Sequence, residues 1–164
     1  DYEDVLVPPK VEEPYLLVYN HKELGHIQRK AIQEIAKSKD LKVISIGDAW
    51  DVADDSFICV HPYEWIGYFK HAAYVFTNTF HGTIFPLLFR KDFTVFVGEG
   101  KRNKVFDLLT PLDLEGRIIT ELTDDYKVNK AQIDYDFVYE KLSPQIDGSE
   151  AFLAKAFNRA CLPV

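Results

Sequence analysis

The chain reads as an α/β protein, a Rossmann-like three-layer domain on a mostly parallel sheet, and three observations predict it. Apolar runs of strand length alternate with stretches of helical periodicity along most of the sequence. The connections between successive strands are long enough to hold a helix, as parallel pairing with right-handed crossovers requires. The 164 residues, 47% apolar and 14% aromatic, suffice for one buried core and match the usual size of one domain.

Taken in order, residues 1–13 are acidic and proline-bearing and read as a linker or the start of a fragment, and the domain itself spans 14–164. Pro14 to Tyr19 is a strand. From about His21 to Lys37, the residues Leu24, Ile27, Ala31, Ile32, Ile35 and Ala36 recur at helical spacing. Val43 to Gly47 is a second strand, and an aspartate-rich polar stretch carries the chain to Pro62, which suits the first turn of a helix ending near His71. Ala73 to Thr77 is a buried strand by composition, Gly82 to Phe89 an apolar helix, Phe93 to Val97 a strand, Asn103 to Leu109 a helix and Gly116 to Ile119 a last strand. From about residue 133, two helical stretches, Tyr135 to Leu142 and Glu150 to Arg159, suggest a cap folded over one sheet face.

Composition removes several classes of function. A formal net charge of −7 and the lack of a basic stripe exclude a nucleic-acid face, because phosphate neutralisation needs clustered Lys and Arg. The two cysteines, Cys59 and Cys161, match no metal-ligand spacing and give no disulfide framework, which favours a reducing, cytoplasmic setting, at most peripheral to the inner membrane face. No apolar run approaches the length of a transmembrane segment. No metal site and no cofactor are expected.

In open parallel sheets ligands collect beyond the carboxyl ends of the strands, where helix amino termini point free N–H groups outward. There the sequence places Thr77-Asn78-Thr79-Phe80-His81-Gly82-Thr83, a polar head on an otherwise apolar helix. Asn78, Thr79, Gly82 and Thr83 are candidate binding residues: the hydroxyls and first amides can donate to phosphate or carboxylate, and Gly82 can let a ligand approach the backbone. An ordinary N-cap at Asn78 or Thr79 and a structural His81 explain the same spacing equally well. The next such turn, Gly98 to Lys104, combines two glycines with three cations; Gly98, Arg102 and Asn103 are its candidates, Arg102 for bidentate anion contact. A solvated loop is the plainer alternative. Ser45, Gly47, Asp48, His61 and Glu64 are weaker candidates for the same cleft, whereas His21, His26 and His71 read as surface or capping residues.

The segment Ala72 to Thr83 resembles the central motif of the polysaccharide pyruvyl transferase family. Pro62 to Gly67, Arg90 to Phe93, Arg102 to Leu109, Leu114 to Ile119 and the tail from Ile133 follow in the family's order, so the likeness runs from about Pro14 to Arg159. Thr79 stands where the family usually has serine, and Arg90 where it often has asparagine. The resemblance implies the C-terminal half of a GT-B-like two-domain enzyme, with an N-terminal domain missing and the isolated fragment inactive. It implies phosphoenolpyruvate as donor, a sugar or glycan-lipid acceptor, and a pyruvyl ketal as product in surface polysaccharide biosynthesis. His81 and Arg102 are the implied catalytic residues. A nucleotide-sugar glycosyltransferase domain and a non-catalytic carbohydrate-assembly domain stand as the alternative readings.

Overall fold

The computed structural model describes residues 6–98, 102–120 and 126–160, with the side chains of Arg102, Asn103 and residues 158–160 left out. Six strands, β1 (Tyr15–Tyr19), β2 (Lys42–Ile46), β3 (Asp55–Phe57), β4 (Tyr74–Thr77), β5 (Asp92–Phe96) and β6 (Ile118–Ile119), form one sheet in the order β3-β2-β1-β4-β5-β6. Every pairing is parallel, from Ile44 opposite Asp55 at one edge to Phe96 opposite Ile119 at the other. This is the doubly wound Rossmann arrangement, in which the strand order reverses between β1 and β4.

Among the described residues five α-helices accompany the sheet: α1 (His26–Lys39), α2 (Pro62–His71), α3 (Phe80–Leu88), α4 (Arg102–Leu109) and α5 (Tyr135–Ala160). Because side chains alternate across a strand, the sheet feeds two cores. Leu16, Val18, Val43, Tyr74 and Phe76 pack on one face beneath Ile27, Ala31, Ile32 and Ile35 of α1. Tyr15, Leu17, Ile44, Val75, Phe93 and Val95 pack on the other with Tyr68 and Phe69 of α2, Leu87 of α3, Val105 and Leu109 of α4 and Val138 of α5. The three expected layers are therefore present.

Several boundaries differ from the sequence expectation. The last strand, expected from Gly116, is confined to Ile118–Ile119 because Glu115–Arg117 forms a 3-10 turn, and α3 begins at Phe80 rather than Gly82 because Thr79 is its cap. Three larger differences each have a physical reason. Helix α1 begins at His26 rather than near His21, because Lys22 adopts a left-handed φ of 81° and Gly25 is the N-cap, its N–H donating to Gln28 Oε1 at 2.7 Å. Strand β3 falls in the aspartate-rich stretch read as a connection; its three residues Asp55-Ser56-Phe57 lie at the sheet edge, mostly solvated, and owe their conformation to pairing with β2. The C-terminal cap is one 26-residue helix running through Pro144, and only its first half packs. Tyr135, Val138, Tyr139 and Leu142 touch the core, whereas residues 143–157 are exposed throughout. Tyr135 and Tyr139 anchor that first half by donating to the Pro86 and Leu87 carbonyls at 3.0 and 3.1 Å.

The segment before β1 lies across α2. A Cβ on Gly67 would fall 2.0 Å from the Val7 carbonyl oxygen, so glycine is needed there for the two to pack.

Candidate functional site

The turn joining β4 to α3 is built from its own threonines. All of β4 is buried, which carries the hydroxyl of Thr77 into the interior, where its Oγ1 accepts from Thr79 N–H at 3.1 Å and lies 3.2 Å from Thr79 Oγ1. Thr79, extended at φ −115° and ψ 150°, is the N-cap of α3, its Oγ1 accepting from Gly82 N–H at 2.8 Å. Thr83 Oγ1 donates back to the Thr79 carbonyl at 2.9 Å. A Cβ on Gly82 would sit 2.2 Å from Thr77 Oγ1 and 2.7 Å from Thr79 Oγ1, so the missing side chain makes room for these hydroxyls. Thr79 and Thr83 are 5% and 0% exposed. Their hydroxyls thus shape the turn from inside. Of the first amides of α3, that of Gly82 is taken by the cap; those of Phe80 and His81, at the first two helical positions, have no carbonyl four residues back within the helix. His81 is exposed beside them.

Asn78 has a different task. Its Oδ1 accepts from the backbone N–H of His21 at 2.9 Å, and its Nδ2 donates to the His21 carbonyl at 2.5 Å. One amide side chain on the β4 turn therefore clamps the turn that follows β1, across the point where the strand order reverses. The His21 ring is held as well: Nε2 lies 3.0 Å from the Tyr19 hydroxyl and the two rings meet edge-on with centroids 5.0 Å apart. Burial, with Asp48 as the second cause, pushes the Tyr19 phenol above its ordinary pKa, so it stays protonated at neutral pH. Tyr19 in turn stands edge-on to Trp65 of α2, and Trp65 to Phe85 of α3. The floor under the site is this aromatic cluster.

The sequence reading treats His21 as a surface or capping residue; its place opposite Asn78 emerges only once β1 and β4 are known to be neighbours. The available signal is the polar run Tyr19-Asn20-His21 directly after a buried strand. Asn20 is 1% exposed and donates from Nδ2 to the Lys22 carbonyl at 2.9 Å, while its Oδ1 is buried with no hydrogen-bond partner among the described residues. Four of the five histidines, His21, His26, His61 and His81, lie at the carboxyl edge of the sheet, since each follows a strand or opens a helix there; His71 closes α2 at the other end.

The remaining sequence candidates scatter. Gly98 is exposed just after β5, with open space where a Cβ would stand. Arg102 and Asn103 begin α4 at the carboxyl edge, but their side chains and residues 99–101 lie outside the described residues, so the expected guanidinium clamp has no described geometry. Lys104, in the first turn of α4, is exposed. Ser45 is spent on structure, donating to the Asp48 carbonyl at 2.9 Å and lying 2.7 Å from Ser56 Oγ. His61 caps α2, its Nδ1 accepting from Tyr63 N–H at 3.4 Å, and Glu64 lies 3.9 Å from Lys10.

Concavities of about 230, 220 and 360 Å3 lie at the opposite, amino edge of the sheet. The first surrounds Arg117, whose guanidinium is buried and donates to the Asn129 carbonyl at 3.0 Å and to that of Ala131, pinning the connection that leads to α5. The second is walled by Arg90, Lys91 and Asp92, with Arg90 lying 3.2 Å from Asp136 and Asp92 accepting from Ile133 N–H at 2.8 Å. These groups serve packing. Among the described residues there is no cluster of His, Cys, Asp and Glu suited to a metal ion, and no helix long and apolar enough to cross a membrane.

Comparison with solved structures finds a similar chain described as a UDP-N-acetylglucosamine 2-epimerase from Listeria monocytogenes, 14% identical, with a TM-score of 0.41 over 84% of this chain and 37% of that one. This chain thus spans well under half the length of that structure. Among curated proteins none matches. The family model for polysaccharide pyruvyl transferases matches residues 2–99, a span that takes in β1, the clamped turn after it and the threonine-lined head of α3. With more than half of its length matched, including both sides of the strand-order reversal, the chain belongs to the polysaccharide pyruvyl transferase family.

Proposed function

We propose that this domain is the C-terminal half of a GT-B-like enzyme that transfers a pyruvyl group from phosphoenolpyruvate to a sugar of a surface polysaccharide or its lipid-linked precursor, forming a ketal. The observation that carries the reading is the head of α3: two amides with no intrahelical acceptor and an exposed imidazole, set beside the point where the strand order reverses. Such a head favours an anion through its N–H groups and the positive end of the helix. Phosphoenolpyruvate offers two anions, a phosphate and a carboxylate.

The chemistry asks for a proton at the methylene carbon of the donor, support for the oxocarbenium-like centre, a base for the attacking hydroxyl and cations for the departing phosphate. His81 takes the role of hydrogen-bond donor or general acid. Arg102 and Asn103, with Gly98, are assigned to the second anion, which the start of α4 and the turn after β5 would hold. Asn78, Thr79, Gly82 and Thr83 contribute by shaping the turn that presents the amides. The acceptor binds against the N-terminal domain of such an enzyme, in the cytoplasm at the inner face of the membrane.

Thermal stability with ligands tests this choice of donor, because a ligand that binds only the folded state raises stability by about 2.7 kcal/mol at a hundredfold excess over Kd. The full-length protein is expected to be stabilised by phosphoenolpyruvate and not by uridine diphosphate sugars. Stabilisation by the nucleotide sugars alone would instead support a glycosyltransferase, and no response to either would support an assembly domain.

A further inference from the structure

We infer that His21, on the turn after β1, is a second catalytic imidazole of this site and takes the proton of the acceptor hydroxyl. The inference rests on the pyruvyl-transfer reading and adds the base that reading leaves unassigned.

Three independent features single out this turn. Asn78 spends both functions of its amide on the backbone of His21, at 2.9 and 2.5 Å, which fixes His21 to the same segment that presents His81. Tyr19 holds the ring from the other side, its hydroxyl 3.0 Å from Nε2. Lys22, the next residue, has a φ of 81°, a conformation costly for a residue with a side chain and common where a turn is shaped for function. An exposed surface histidine would not ordinarily be held at both its backbone and its ring.

The aromatic chain His21, Tyr19, Trp65, Phe85 also places the ring on the α2 and α3 face of the sheet, the face on which His81 opens its helix. Taking up the acceptor proton at Nδ1 requires the tautomer in which Nε2–H donates to the Tyr19 oxygen, 3.0 Å away. In the first addition, the acceptor oxygen bonds to C2 of phosphoenolpyruvate as its hydroxyl proton passes to His21, and C3 gains a proton from His81. A second hydroxyl then displaces phosphate from C2, and its proton leaves with the phosphate. The two steps consume no oxidant and balance as ketal plus inorganic phosphate.

The test uses the full-length enzyme, phosphoenolpyruvate and acceptor. Since truncation at Cβ leaves the Asn78 clamp on the backbone intact, His21→Ala is expected to keep its melting temperature and its KM for phosphoenolpyruvate. Its kcat should fall by about 10²- to 10⁴-fold, the usual share of a general base, and imidazole added to the buffer should restore part of it. Unchanged kcat, or a loss that imidazole does not relieve in a folded variant, would overturn the inference. Should His21→Ala disturb folding, His21→Gln is judged on kcat alone. Wild-type turnover alongside a fully active His21 variant removes only the second imidazole; a wild type that releases no phosphate from phosphoenolpyruvate removes the pyruvyl-transfer reading and this inference together.

Discussion

Thr77, Thr79, Gly82 and Thr83 act as one small assembly, in which each hydroxyl meets a backbone group or another hydroxyl inside the turn. Its weak point is Gly82. A methyl group there meets Thr77 Oγ1 at 2.2 Å and Thr77 Cβ at 2.9 Å, and the strand residue cannot retreat without disturbing β4. Gly82→Ala is therefore expected to cost about 1–3 kcal/mol, the usual penalty of overpacking, read as a lower denaturation midpoint. An unchanged midpoint would mean that the turn adjusts freely. At this scale the sequence was informative about which segment matters and less so about how. The motif's hydroxyls suggested outward donors, yet an N-cap and a buried strand end consume them first, and that could not be read without knowing that Thr77 points inward. Asn78 stood out in the sequence as a candidate but its partner did not, because His21 lies 57 positions away.

At the level of elements, helices and strands with strong periodicity were legible almost to the residue. Pro62 opens α2 and His71 closes it, as proline at the first turn and the recurring apolar face suggest. Elements set by their surroundings were not legible. Strand β3 carries two exposed residues of its three and exists because β2 offers a free edge. Helix α5 continues through Pro144 and Gly148, residues that lower helical propensity, so the sequence reads as two segments where the chain makes one. The start of α1 was misplaced by five residues because the left-handed Lys22 and the cap at Gly25 interrupt an otherwise plausible pattern. That interruption is what frees His21 from the helix and leaves it at the carboxyl end of β1.

Across the whole molecule, buried phenols tie the sheet to its helices. Tyr15 donates to the Tyr68 carbonyl at 2.7 Å, Tyr74 meets Thr94 Oγ1 at 2.8 Å, and Tyr135 donates to the Pro86 carbonyl at 3.0 Å. Burial, the largest cause in each case, raises all three above the ordinary tyrosine pKa. The native state then keeps these protons at a pH where the unfolded chain loses them. Their contribution is complete below about pH 10, the ordinary tyrosine value, and falls as pH climbs beyond it, by about 1.4 kcal/mol per pH unit for each phenol. Denaturant melts from pH 8 to 11.5 should show stability steady at first and then declining, with part of the phenolate absorbance of the nine tyrosines appearing only on unfolding. The full phenolate absorbance in a still-folded protein would show that the buried tyrosines are accessible.

The three-layer packing that buries those phenols also carries the turns after β1 and β4 to one edge, where the proposed chemistry takes place. Its most direct test is phosphate release and ketal formation from phosphoenolpyruvate and acceptor by the full-length protein, wild type beside His81→Gln. Turnover by the wild type and a loss of at least about a hundredfold in the variant at unchanged folding are expected. A folded His81→Gln enzyme that forms the ketal at the wild-type rate would contradict the proposed chemistry.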